Sequence, residues 1–394
     1  MKKSFNLCIF IGFILGILGG IFIPKVMLEI SFLGNIYINL LKFIIIPTLF
    51  TSIMVSVYKT INKRMTIFPK TIILFLLMFV TSFIITSVIV ALIKPGVNFD
   101  FDEAIWSGNI TKFSLAEFLV NIIPNNIVTM VGNNNILACI IFAFVCGFAA
   151  AKVDNGKKAV EMANSFKNIF DKILEYIMYL TPLGVFSLIG NTIANYGIGI
   201  IGVCSKYIII AYLCCIIVMF LVMILPVWVY AKISPLKYIK EVSRVWLVTL
   251  STCSSLATLP HTIKVCNDNF GIPNKITDLV VPLGCTINMC GGAVSFALLG
   301  LFCSQLYGIE ITFGTYLAML FASTLINMAT PGIPGGGIVI GATYLSVFGI
   351  PLSFMGVYSG IYRLLDMAYT TMNVTGDITA NILISKAEHN SFKI

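Results

Sequence analysis

The last apolar segment of the chain, residues 354–386, contains polar side chains with the chemistry of a binding site. They are Asp366, Thr370, Asn373 and Asp377. On a helix that turns about 100° per residue, these positions fall at about 0°, 40°, −20° and 20°, so they share one face over roughly 16 Å of rise. One carboxylate can hold an ammonium group, the other can hold a cation, and the amide between them can serve both.

A polar stripe of this kind can also serve only to join helices through hydrogen bonds. We favour a binding role, because a carboxylate inside an apolar helix costs several kcal/mol unless something pairs with it. Two such acids lie on one face here.

Two broken segments are expected to face this stripe. Residues 238–270 form short apolar limbs around a polar centre at 251–260, and residues 313–350 form short limbs around 329–337. Neither limb is long enough to cross a bilayer, so each pair predicts a re-entrant hairpin. Each hairpin is followed by a span with a polar centre, 277–303 and then 354–386. This duplication predicts inverted repeats and points to a transporter's midplane site.

Half-helices in such segments supply complementary groups. Their N-termini offer free N–H groups suited to a carboxylate. Their C-termini and unwound stretches offer carbonyl oxygens, which are hard ligands suited to Na⁺. The glycines at 335–337 would let the backbone approach a ligand closely.

The composition places these elements in a membrane. The chain is 58% hydrophobic and only 10% charged, too few charges for a soluble domain of 394 residues. Apolar runs recur at a length of about 20 residues, which is what a membrane-spanning helix needs. Six spans are predicted before the first hairpin, at roughly 5–23, 34–57, 71–93, 119–151, 166–195 and 200–231.

The net charge of +9 reflects membrane topology and not nucleic-acid binding. Basic residues concentrate in alternate loops and at both termini, a distribution that places both termini in the cytoplasm. We therefore expect a multi-pass protein of a prokaryotic cytoplasmic (inner) membrane. The eleven cysteines lack paired metal-ligand spacing and are interpreted as packing residues.

These motifs resemble those of the dicarboxylate/amino acid:cation symporter family, and the resemblance covers nearly the whole chain. The matching motifs are LLKFIIIP at 40–47, IIPNN at 122–126, the serine-rich first hairpin, Asn288-Met289, the GIPG run at 332–335 and the Asp366–Asp377 stretch. The resemblance implies an all-α membrane protein with eight transmembrane helices, two re-entrant helical hairpins and inverted repeats. It also implies a homotrimer and an elevator mechanism.

Within a single polytopic unit of residues 1–394, the resemblance implies two parts. Residues 1–235 would form mainly the scaffold and trimer contacts, with spans 3 and 6 moving with the transport part. Residues 236–394 would form the core transport part, with both hairpins and spans 7 and 8.

The family's functional residues carry over to positions in this sequence. Asp366 would bind the substrate's ammonium group and Asn373 its carboxylate. The full substrate set is Ser254, Ser255, Ile333, Gly335, Gly337, Asp366, Tyr369, Thr370 and Asn373. One sodium site would use Gly284, Asn288, Asn373 and Asp377. A second would use the backbone carbonyls of Met289, Asn327, Met328 and Thr330 together with Thr286.

Two departures from the family pattern bear on substrate and coupling. Tyr369 stands where acidic-substrate members have arginine, and Cys253 stands where some members have another arginine. Losing that bidentate partner favours a neutral amino acid over aspartate or glutamate. Cys290 and Gly292 replace an Asp and a Thr that help to hold a further sodium, so that site is expected to be lost or changed.

Several alternatives stay open at this point. Proton coupling through Asp366 or Asp377 is one, because burial favours the neutral form of a carboxyl group. An acidic amino acid or a dicarboxylate is the alternative substrate. A channel would use similar re-entrant loops. An intramembrane aspartyl protease would need carboxylates close enough to share a proton, whereas these lie roughly 16 Å apart.

Overall fold

A computed structural model of the protein describes residues 2–62, 67–97, 120, 123, 126–132, 136–197, 200–328 and 336–388. All regular structure in these ranges is helical. The predicted all-α class is therefore confirmed. The fourth predicted span is described only in part, and the tip of the second hairpin, residues 329–335, lies outside the described ranges.

Before residue 200, the described helices are α1 Lys2–Phe22, α2 Pro24–Glu29, α3 Ser31–Asn62, α4 Ile67–Ile93, α5 Ile127–Gly132, α6 Ile136–Ala150, α7 Gly156–Met178 and α8 Thr181–Tyr196. From residue 200 they are α9 Ile200–Val218, α10 Leu225–Ala231, α11 Pro235–Thr252, α12 Ser255–Lys264, α13 Asn274–Ile287, α14 Cys290–Leu306, α15 Phe313–Met328, α16 Gly336–Val347 and α17 Phe354–Glu388. Two π-helical segments, Met219–Ile224 and Val265–Asn269, follow α9 and α12.

Three helical stretches in the described part of the chain are long and apolar enough to cross a bilayer: Ile67–Ile93, Gly202–Ala231 and Asn274–Leu306. A bent pair, Gly156–Ile177 with Pro182–Asn195, adds a fourth if its two helices form one span, and they meet at 54°. These stretches agree with a multi-pass membrane protein. The total of eight spans stays a prediction.

Helices α1 and α8 approach closely along a row of glycines. Gly12, Gly16 and Gly20 lie one turn apart on α1 and face backbone carbonyl oxygens of α8. A Cβ added at these positions would lie 2.5, 2.7 and 2.8 Å from the carbonyl oxygens of Pro182, Phe186 and Gly190, respectively. Small residues allow such backbone contact between membrane helices, where dispersion attraction drives association.

The other helix contacts separate into two groups. Helix α3 packs against α6, α7 and α8, and α8 in turn packs against α1. Helix α4 packs along α14, and α9 packs along α17, so both belong with the C-terminal helices. Helix α17 is central to the second group and also touches α8 of the first.

Replacing Gly16 by Ile is expected to destabilise the α1–α8 packing, because a side chain there meets the Phe186 carbonyl. Overpacking of this kind costs about 1–3 kcal/mol. The measurement is the thermal unfolding midpoint of the purified protein in detergent. The neighbouring, half-exposed Leu15 provides the control as Leu15→Ile. An unchanged midpoint for Gly16→Ile would show that the two helices do not pack through this row.

Candidate functional site

The first hairpin is formed by α11 and α12 and the π-helical segment after it. The chain doubles back, because Asn269 Nδ2 at the end of the second limb donates to Glu241 Oε2 near the start of the first, at 2.7 Å. The tip is Cys253, whose φ of 47° lies in the left-handed region. Ser254 then caps α12 by accepting from the Ala257 N–H at 3.2 Å. The predicted re-entrant turn therefore has its break inside the predicted polar centre.

The second hairpin is formed by α15 and α16. Here too the limbs run back along each other, since Tyr344 Oη donates to the Met319 carbonyl at 3.5 Å. The predicted site residues Ile333, Gly335 and Thr330 belong to the tip and lie outside the described residues. Gly337 is described.

The seventh predicted span is interrupted where the sequence indicates. Helix α13 ends before Asn288, and α14 starts after Met289. The new N-terminus leaves backbone N–H groups free of intrahelical partners. One of them, Gly291 N–H, donates to Asn373 Oδ1 of α17 at 2.8 Å. A side chain from a distant helix thus caps the second half-helix.

The acid and amide side chains of helix α17 face these helix breaks and not the outer surface of the protein. Asp366 is 7% exposed and Asp377 is fully buried. Thr370 donates from Oγ1 to Asp366 Oδ1 at 3.2 Å, which orients that carboxylate. Helices α11, α12, α13, α14 and α16 all pack against α17. The stripe predicted from helical periodicity therefore faces the hairpins and the interrupted span.

The N-terminal end of the stripe borders a cavity of about 50 Å³. This is room for roughly four water molecules, which suits a small solute. Its described lining is Cys253, Ser255, Met289, Gly292, Ser295, Phe296, Asn327, Gly337, Ile340, Tyr362, Asp366, Tyr369, Thr370 and Asn373. Most of the described substrate residues predicted from sequence are brought together here. Ser254 is the exception, since its side chain caps α12.

Asp366 is the single charged side chain in the described lining of this cavity. No lysine or arginine borders it in that part of the chain. The described lining therefore carries a carboxylate for an ammonium group and no basic side chain. Arg363 lies outside this lining, but it interacts electrostatically with Cys253, which borders the cavity.

Tyr369 meets the cavity, but its hydroxyl lies elsewhere. That hydroxyl is next to the hydroxyl of Tyr207 on α9, and neither has another hydrogen-bond partner among the described residues. The residue that stands in for arginine therefore gives the cavity ring surface and backbone. The family resemblance assigned the position to the site, and the sequence held no signal for where the hydroxyl points.

The C-terminal end of the stripe forms a separate cluster of polar groups around Asp377. Asn288 Nδ2 donates to Asp377 Oδ1 at 3.1 Å, while Oδ2 is buried with no partner among the described residues. Gly284 leaves room for this carboxylate, since an added Cβ would fall 2.2 Å from Oδ1. A buried carboxylate with an unpaired oxygen, beside carbonyl groups of a broken helix, fits a hard cation such as Na⁺.

The second predicted sodium set is only partly described. Met289 and Asn327 both border the cavity. Thr330 is outside the described residues, and the side chains of Thr286 and Met328 are as well. The two described members lie together, because Gly292 is next to both the Asn327 amide and the Met289 side chain.

Cys290 occupies the position where the resemblance implies an Asp that helps to hold a further sodium. Its thiol donates to Asn288 Oδ1 at 3.4 Å and lies near Ser82 of α4. A neutral thiol is a weak donor here, whereas a hard cation prefers oxygen ligands.

The comparisons with known proteins agree with this arrangement. The family model described as "Sodium:dicarboxylate symporter family" matches residues 5–387. The chain is 31% identical to the proton/sodium-glutamate symport protein of Geobacillus stearothermophilus, covering 96% of this chain and 93% of that protein. It is 25% identical to the C4-dicarboxylate transport protein of Bacillus subtilis, with 98% and 94% covered. It is 26% identical to the proton/glutamate-aspartate symporter of the same organism, with 98% and 96% covered.

Replacing Gly284 by Ala is expected to weaken cation binding at Asp377, because the new Cβ would displace the carboxylate. The measurement is the rise in unfolding temperature on adding Na⁺ to the purified protein, with choline as the reference ion. Gly202→Ala is the matched control, since nothing lies within 4 Å of an added Cβ there. A full Na⁺-dependent rise in Gly284→Ala would place the cation away from Asp377.

Proposed function

The chain belongs to the sodium:dicarboxylate symporter family, a family of membrane transporters and not of enzymes, and on this premise we propose that it takes up a small neutral amino acid by cation-coupled symport. Na⁺ is the proposed coupling ion. The observation that carries the substrate proposal is the charge of the cavity, where Asp366 is the single charged side chain of the described lining.

The proposed pose follows from complementarity. The substrate's ammonium group pairs with Asp366, whose carboxylate is already oriented by Thr370. The substrate's carboxylate lies toward the Asn373 amide and the N-terminus of α16, where Gly337 borders the cavity. A neutral side chain then leaves no charge unmatched, which matters because an unpaired buried charge is strongly destabilising.

An acidic substrate is the second candidate, because the relatives are named for acidic substrates. They are called glutamate, glutamate-aspartate and C4-dicarboxylate transporters, and so they do not support the neutral substrate. An acidic side chain would bring a second carboxylate close to Asp366 with no lysine or arginine in the described lining. The two candidates therefore make opposite predictions in a binding screen.

The coupling ion is proposed to bind at Asp377 with Gly284, Asn288 and Asn373. The orphaned Oδ2 supports a cation there. The relatives' names include both proton and sodium, so protonation of the same carboxyl group is the alternative. A second Na⁺ is proposed at Met289 and Asn327, with the remaining predicted ligands.

The larger assembly is proposed from the family and from the helix contacts. Residues 1–235 form mainly the proposed scaffold. Helices α4 and α9 from this range are proposed to move together with residues 236–394. The packing of α4 on α14 and of α9 on α17 supports that grouping. We further propose a homotrimer working by an elevator mechanism in the cytoplasmic membrane, with both termini in the cytoplasm.

The proposal is tested by a thermal-shift screen of amino acids and C4-dicarboxylates, each with and without Na⁺. Small neutral amino acids are expected to raise the unfolding temperature in Na⁺ and to have a much smaller effect in choline. A response confined to glutamate, aspartate or succinate would refute the neutral substrate. If the rise in unfolding temperature is the same in Na⁺ and in choline but changes with pH, the result would favour the proton as the coupling ion.

Replacing Asp366 by Asn is expected to lower amino-acid uptake into proteoliposomes by about 100-fold or more, because the buried ammonium group loses its counter-charge. The Na⁺-dependent thermal shift should remain, since Asp377 is intact, and this shows that the variant is folded. Asp278→Asn, at an exposed acid, is the control. Uptake at the wild-type rate in Asp366→Asn would rule out the assigned role.

A further inference from the structure

Asn327 is a buried residue whose amide oxygen has no hydrogen-bond partner in the part of the chain that the structure describes. It lies near the end of α15, is 2% exposed and borders the cavity that also contains Asp366. Its Oδ1 has no hydrogen-bond partner among the described residues. An unsatisfied polar group in the interior is destabilising, so a side chain in this state needs an explanation.

Gly292 explains how the amide fits there. A Cβ added at Gly292 would lie 2.1 Å from Asn327 Oδ1 and 3.4 Å from the Met289 side chain. The Asn327 amide therefore occupies space that any other residue at position 292 would fill. The bare glycine on α14 and the long polar side chain on α15 form a matched pair beside the cavity.

The chemistry of this pair differs from that of the stripe on α17. A primary amide has two donors and an acceptor. Here Oδ1 lies toward Gly292, and no hydrogen bond among the described residues holds it there. It can thus accept from a hydroxyl or an amide N–H, or donate to a neutral oxygen. Asp366 and Asn373 are already assigned to the two charged groups of an amino acid, which leaves the side chain of the solute for Asn327.

We propose that the Asn327 amide recognises the substrate's side chain and selects small neutral amino acids with a hydroxyl or amide group over apolar ones of the same shape. This rests on the proposed function and narrows its substrate class. The role belongs to the side chain and is separate from the backbone carbonyl of Asn327, which is among the proposed sodium ligands. An acidic side chain is disfavoured because Asp366 borders the same cavity of about 50 Å³.

The test uses pairs of amino acids that differ mainly in hydrogen bonding, threonine with valine and asparagine with leucine. Each competes with uptake of a labelled neutral substrate into proteoliposomes of the full-length protein. The wild type is expected to prefer threonine and asparagine by roughly tenfold or more, because a site with an unpaired polar group rejects analogues that leave it unpaired. Asn327→Ala should remove most of that preference while keeping the dependence on Na⁺.

Ser323→Ala is the matched control. Ser323 lies one turn earlier on α15, is buried, and bonds to the Leu320 carbonyl at 2.8 Å without bordering the cavity. Its variant should rank the four amino acids as the wild type does. If Asn327→Ala does not fold, Gly292→Ala decides, because the added Cβ displaces the amide and should reduce the same preference.

The outcomes separate two failures. If no neutral amino acid competes in the wild type, the proposed function is wrong and the side-chain selection falls with it. If neutral amino acids compete but threonine and valine do so equally, the role of Asn327 alone is refuted. An unchanged preference in folded Asn327→Ala or Gly292→Ala refutes it as well.

Discussion

Burial of negative charge is the constraint on which the rest of this structure depends. Helix α17 places Asp366 and Asp377 in the interior, where an isolated carboxylate would be strongly disfavoured. Thr370 donates to one oxygen of Asp366 and Asn288 donates to one oxygen of Asp377. The breaks in the neighbouring helices bring further polar backbone to the same face. At Asp377, one oxygen has no partner among the described residues, so a cation or a proton there would complete the compensation.

The fold and the position of the site follow from sequence patterns that are local. A period of 3.6 residues places the polar groups of α17 on one face, and short limbs around Ser, Pro and Gly predict the two hairpins. The structure has breaks at Cys253 and Asn288, inside the polar centres that the sequence indicates. These features depend on neighbours in the chain, so they can be read directly from it.

Other parts of the site depend on residues far apart in the chain. The turn of the Tyr369 hydroxyl toward Tyr207, and the fit of the Asn327 amide against Gly292, result from packing between separate helices. Neither Gly292 nor Asn327 indicates this contact when it is considered alone in the sequence. Gly292 by itself indicates flexibility, and Asn327 by itself indicates a helix end. The substrate is for this reason harder to predict than the fold. Relatives that share the family's framework can differ in the few side chains that line the cavity.

The hydrogen bond from Gly291 to Asn373 has a thermodynamic consequence. Asn373 borders the cavity and is also a member of the proposed cation set around Asp377, and its amide oxygen accepts from the first turn of α14. A displacement of this amide by either ligand therefore alters the surroundings of the other. Linkage makes such an effect reciprocal: the factor by which the ion tightens the solute is the factor by which the solute tightens the ion. If both proposed sites are occupied as described, one amide group would couple the loading of solute and ion.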